Sequence, residues 1–127
     1  EDLKKAVEIL QSIPGIGYLS ARILMSAIAT IDRFETEKQL ASYIGIVPSV
    51  RNSGGETKHG RITKKGNRIA RTILVQNALS LLKCKNGPLK GFYNGVKSRG
   101  GTGKAIIALA RKTLTIAFYL LKKGEYF

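Results

Sequence analysis

The sequence predicts a mainly α-helical fold: one compact helical domain over residues 1–127, with a helix-hairpin-helix element near its start and a long basic loop between helices. Three observations carry this expectation. Apolar residues recur at three- and four-residue spacing through most of the chain. Glycine and proline punctuate those segments near residues 14–17, 45–48, 86–88 and 100–103. A hydrophobic share of 43% in 127 residues suits one domain with a real core rather than a disordered tail.

Residues 2–11 place Leu3, Ala6, Val7 and Leu10 on one helical stripe. Pro14 and Gly15 end that helix, and Gly17 precedes a second one reaching about Ala29. An apolar residue followed by Gly-Ile-Gly, with Ala21 four residues after Gly17, is the helix-hairpin-helix pattern, here over about residues 3–29. Its glycines permit a tight turn and close backbone approach. The second helix would then offer free N–H groups to a phosphate oxygen, with Gly15 and Gly17 at the contact. Ala21 lets the two helices sit close. The plainer reading is a helical hairpin without a ligand.

Thr36 and Gln39 form a capping-box pattern for a short helix whose buried face is Leu40, Tyr43 and Ile44, and Gly45 is its C-terminal cap. The next stretch, residues 48–71 (PSVRNSGGETKHGRITKKGNRIAR), has neither a helical nor a strand period in its first half. Such loops are uncommon inside compact domains and usually functional. Its paired glycines at SGGE offer a short β-hairpin. Asn67 reads as the N-cap of a helix reaching about Lys85, with Ala70, Ile73, Leu74, Asn77, Ala78 and Leu81 inward. Arg68 and Arg71, roughly 60° apart around that helix, are expected to point outward. A further helix runs from Pro88 to about Arg99, with Leu89, Phe92, Tyr93 and Val96 inward. GGTG breaks the chain at 100–103, and the last helix, from Lys104 to about Lys122, is apolar on several faces (Ile106, Ile107, Leu109, Leu114, Phe118, Leu121). It reads as the central core helix.

Charge narrows the choice of partner. Up to Glu56 the chain carries six basic and seven acidic residues; from Thr57 to Gly124 it carries sixteen basic residues and no acidic one. Surfaces normally mix signs, so this stretch calls for a polyanion. Nucleic acid fits, because such binding is driven by cations on phosphates. A membrane surface fits less well, since the later helices read as core-packed and no apolar run approaches the roughly 20 residues of a span. One cysteine and one histidine build neither a disulfide framework nor a structural zinc site, and a reducing, intracellular setting follows. The chain begins EDLKKA, without methionine or apolar leader, as a piece of a longer protein would.

Several motifs fail on inspection. GGTGK lacks the first glycine of a phosphate loop, where Ser98 stands, and Ala105 replaces its Ser or Thr. GIGYLS has Ser20 in place of the third dinucleotide glycine. Cys84 reads as a structural thiol. His59, between Lys58 and Gly60, is a phosphate contact or a neutral donor or base. No pair of carboxylates is spaced for two-metal chemistry. Among hydroxyls, Ser53 has an adaptable Gly54-Gly55 backbone behind it, and Arg51, Lys58 and Arg61 near it to balance charge on phosphorus. Ser49 is second. The residues alone leave open a turn serine bonded to its own backbone.

The order of segments then matters. IPGIG, RF with LASYIGIVPS, NSGG, HGRITKKGNRIARTILVQNA and GGTGKAIIALARKTL, from about Leu10 to Leu121, resemble the C-terminal domain of the IS110/IS116/IS902 insertion-sequence transposases, relatives of the Piv DNA invertases. That resemblance implies an enzyme in its full-length form, which cuts and rejoins DNA through a phosphoserine intermediate. It implies an N-terminal RuvC-like domain with four acids and a magnesium site, absent from this chain, so that no cofactor is expected here and the isolated piece is expected to be inactive. It also implies a bridge RNA as guide for several members, dimers or tetramers, and a prokaryotic, cytoplasmic, nucleoid-associated setting. The family's serine follows a Y-x-G-x-x-P segment, here Tyr43, Gly45 and Pro48, and corresponds to Ser53. The expected nucleic-acid contacts are Gly15, Gly17, Arg51, Lys58, His59, Arg61, Lys64, Lys65, Arg68 and Arg71. The alternative is a non-catalytic helix-hairpin-helix module that clamps a nucleic-acid backbone.

Overall fold

The computed structural model describes residues 2–46, 65–83 and 87–127. These form helices α1 (Asp2–Gln11), α2 (Tyr18–Ile28), α3 (Glu37–Ile44), α4 (Lys65–Lys83), α5 (Pro88–Gly100) and α6 (Thr102–Lys123), with a 3-10 turn at Ile31–Arg33. No strand occurs among the described residues, and the β-hairpin expected at SGGE lies outside them. The central element is α6, as its all-round apolar pattern suggests. It packs against α1, α3, α4, α5 and the 3-10 turn, while α2 packs against α1 and α4. Its buried side is Ala105, Leu109, Ala110, Thr113, Leu114, Ala117 and Phe118, and the alanines let neighbouring helices approach closely. Thr113 satisfies its buried hydroxyl by donating to the Leu109 carbonyl at 2.9 Å.

Helix α1 buries Val7, Ile9 and Leu10. Leu3, expected on the same stripe, is 56% exposed. It lies in the first turn, at the rim of a groove of about 590 Å³ that it lines with Ala6, Ile9, Met25, Ile31 and Leu121. Helix α2 ends at Ala29, whose φ of 66° and ψ of −69° make a γ-turn closed by the Thr30 N–H donating to the Ile28 carbonyl at 2.8 Å. The Arg33 guanidinium donates to the same carbonyl at 2.8 Å. Its carbon lies 5.0 Å from the Phe34 ring centroid and 4.9 Å from that of Tyr43, so one side chain ties the end of α2 to α3.

Helix α3 begins as its capping residues predict: the Gln39 N–H donates to Thr36 Oγ1 at 3.2 Å. The reciprocal bond differs by one residue, since Gln39 Oε1 accepts from the Glu35 N–H at 2.7 Å rather than from Thr36. Glu37, in the first turn, accepts from Arg111 at 2.9 Å and from Thr115 at 3.2 Å, which joins α3 to α6. The Arg111 hydrogen bond holds the Glu37 carboxyl below its ordinary value of 4.5, against the opposing effect of burial. A depressed carboxyl stabilises the fold above its unfolded value and stops doing so as pH falls through its folded value. Glu37→Gln is therefore expected to shrink the stability lost on acidification below about pH 4.5, measured by urea titration at several pH values.

Two helix boundaries differ from expectation. α4 starts at Lys65, before Asn67, and its last described residue is Lys83. α6 starts at Thr102, because the break between α5 and α6 is confined to Gly101, at φ 93°. Ile107, expected inward, is 41% exposed. Beyond α6 the chain folds back on α1: the Phe127 N–H donates to Ser12 Oγ at 2.8 Å, and Tyr126 lies under Lys5.

Candidate nucleic-acid interface

The acid-free stretch maps largely onto the outer faces of α4, α5 and α6. Arg68, Lys83, Lys97, Arg99, Lys104, Lys112, Lys122 and Lys123 are all exposed. Arg71, Lys90 and Arg111 are only half-exposed, and Arg111 turns inward onto Glu37. Among the described residues no cluster of histidine, cysteine or acidic side chains could hold a metal ion, and no helix is long and apolar enough to cross a membrane.

The two glycines of the α1–α2 turn do different work. Gly15 sits at φ 91°, and a Cβ there would lie 2.7 Å from the Asn77 carbonyl oxygen and 3.0 Å from Leu81 Cβ. It is glycine because the turn presses on α4. Gly17 has φ −94°, and nothing lies within 4 Å of where its Cβ would be. It precedes α2 without a side-chain cap, leaving the first amides of that helix open to an anion. Beside them stand Tyr18 and Leu19, 57% and 69% exposed. Arg22 donates to the Tyr18 hydroxyl at 3.1 Å and lies 5.6 Å from its ring centroid. This Tyr18–Arg22 pair was not singled out from the sequence, although its i, i+4 spacing beside the Gly-Ile-Gly turn is visible there.

On α4, Arg68 is exposed, whereas Arg71 is half-buried and not fully outward. The Arg71 guanidinium donates to the Ile44 carbonyl at 3.1 Å, at the C-terminal end of α3, where a cation is favoured. Gly45 caps α3 at φ 88°, and a Cβ there would lie 2.6 Å from Arg71 Nη1, the movable end of a flexible side chain, so the backbone angle is what calls for glycine. One side chain thus fastens the point where the chain leaves for residues 47–64 to the helix to which it returns. Lys65 opens α4, while Arg51, Ser53, Lys58, His59, Arg61 and Lys64 lie outside the described residues. Arg71→Ala is expected to cost about 1.5 kcal/mol of stability and Arg68→Ala less than about 0.5 kcal/mol. Urea unfolding of both variants distinguishes the roles; equal losses would contradict the clamp.

The family described as "Transposase IS116/IS110/IS902 family" matches residues 7–94. The chain is 35% identical over 119 residues to the transposase for insertion sequence element IS1111A of Coxiella burnetii, an alignment covering 91% of the chain and 33% of that protein. It is 30% identical over 128 residues to the pilin gene-inverting protein of Moraxella bovis, covering 99% of the chain and 40% of the relative. A third similar protein, 29% identical over 122 residues, is the insertion element IS110 uncharacterized 43.6 kDa protein of Streptomyces coelicolor, with 94% of the chain and 29% of the relative covered. The chain therefore spans between 29% and 40% of the length of these relatives. A family match over most of the residues, joined to relatives that align along nearly all of it, means that this chain belongs to the IS116/IS110/IS902 transposase family.

Proposed function

We propose that this chain is the DNA-binding and nucleophile-bearing domain of an insertion-sequence transposase. The observation that carries the reading is the outer surface of α4, α5 and α6, which carries cations and no acid, in a chain of this family. Phosphates would be held by Arg51, Lys58, His59, Arg61, Lys64, Lys65 and Arg68, by the open amides after Gly17, and by whatever part of Arg71 is left free by the Ile44 carbonyl. Ser53 Oγ would attack phosphorus and displace one deoxyribose oxygen, which leaves as a free hydroxyl end on taking up a proton. The phosphoserine ester keeps the bond energy, so the reverse attack by a strand end rejoins DNA without ATP. Arg51 and the cations after Gly55 would balance the charge that develops on the phosphoryl oxygens.

The pilin gene-inverting relative makes DNA rearrangement the natural class of reaction. Magnesium, in this reading, is held by a RuvC-like domain elsewhere in the full-length protein, as the family resemblance implies. A bridge RNA, a dimeric or tetrameric assembly and a cytoplasmic, nucleoid-associated setting complete the proposal. The binding half is tested with the chain itself: affinity for duplex DNA is expected to fall by at least about 100-fold between roughly 50 and 200 mM salt. Salt-insensitive binding would reject it.

A further inference from the structure

The exposed side of α4 has no role in the hairpin or in the clamp at Gly45. Arg68, Ile69, Thr72, Gln76, Leu79 and Lys83 are all exposed there, Ile69 at 50% and Leu79 at 47%. At 3.6 residues per turn these six fall within roughly 100° of one another, and Arg68 and Lys83 are about 22 Å apart along the axis. Ala70, Leu74, Asn77, Ala78 and Leu81 occupy the opposite side and are buried. The outer stripe is therefore straight. It has a cation at each end, a hydroxyl and an amide in the middle, and two bare aliphatic side chains. Thr72 Oγ1 gives its proton to the Arg68 carbonyl at 3.1 Å, which leaves its lone pairs for an outside donor.

The geometry points to α4 as a helix that docks lengthwise in the major groove of duplex DNA, with Arg68 and Lys83 on phosphates and Thr72 and Gln76 at base edges. This rests on the DNA-binding reading above and says which element enters the duplex. The groove, about 12 Å wide, admits a helix, and its floor offers acceptors, donors and thymine methyl groups. Gln76 suits the first two, and Ile69 and Leu79 suit the third. Charge selects the partner: α4 contains no acidic residue, nor does any position from 57 to 124. A second copy of the chain is disfavoured, because a two-fold axis across this stripe would set Arg68 or Lys83 against a like charge.

The test compares binding of the chain to a random-sequence duplex and to the same duplex with glucosylated 5-hydroxymethylcytosines, whose sugars fill the major groove. It adds two charge-matched variants, Gln76→Glu on the stripe and Gln11→Glu on the exposed end of α1. Circular dichroism checks that both variants keep their helices. Docking of α4 predicts at least about tenfold weaker binding to the filled duplex, the same scale of loss for Gln76→Glu, and a change within about twofold for Gln11→Glu. Equal affinity for plain and filled duplexes, or a Gln76→Glu variant that binds like the parent, would overturn the groove assignment while leaving DNA binding intact. Absence of salt-dependent binding to either duplex would overturn both.

Discussion

Ser53→Ala, introduced into a full-length transposase carrying this domain, is expected to lower strand cleavage by at least about 10³-fold, since loss of a covalent nucleophile removes the step itself. DNA affinity should stay within about twofold, because the phosphate contacts proposed here are cations and amides, not the serine hydroxyl. Ser49→Ala should retain cleavage. The contrast separates a nucleophile from a turn serine, which would affect both properties weakly or neither. Strand cleavage measured on supercoiled and linear DNA gives the answer, and unimpaired cleavage by Ser53→Ala would reject the assignment.

Gly15→Ala is expected to be the most destabilising small change among the described residues. The left-handed backbone at φ 91° costs an L-residue about 1–2 kcal/mol. A Cβ 2.7 Å from the Asn77 carbonyl oxygen adds a clash with main chain, which cannot swing aside, at about 1–3 kcal/mol. The sum, about 3 kcal/mol, corresponds to a melting temperature roughly 10 °C lower for a chain of this size. Gly17→Ala, at φ −94° with open space beside it, should change stability by less than about 1 kcal/mol. Thermal unfolding of the two variants therefore gives unequal results from two glycines of one short motif. Similar losses at both positions would contradict the packing of the turn against α4.

That pair also shows what was and was not legible in the sequence. The Gly-Ile-Gly spacing marks a turn and a helix start, and both are present. It does not say which glycine meets solvent and which meets protein, because that depends on Asn77 and Leu81, more than sixty positions away. Helices and their ends were readable wherever the signal is local: the Thr36 cap, the left-handed Gly45 and Pro88 at the head of α5. The start of α4 was misread because Asn67 has the chemistry of a cap but no obligation to act as one. The helix is fixed by burial of Ala70 and Leu74 and begins upstream at Lys65. Arg71 was misread for a similar reason. Periodicity gives its angle around α4 but not the neighbour that fills that angle, here the carbonyl end of α3. Charge was the most direct signal of all, since a run without acids needs no knowledge of the fold to be seen.

The chemistry differs from the binding surface in this respect. Cations can be counted, but a nucleophile is defined by the bond it forms. The most direct measurement is to trap the full-length protein on a suicide DNA substrate, whose cut strand is lost by diffusion so that rejoining fails, and to map the attached nucleotide by mass spectrometry. A covalent adduct on Ser53, absent from Ser53→Ala, is the expected result. An adduct on another residue would contradict the Ser53 assignment, and complete cleavage with no protein–DNA bond would leave this domain as a non-catalytic clamp on the nucleic-acid backbone.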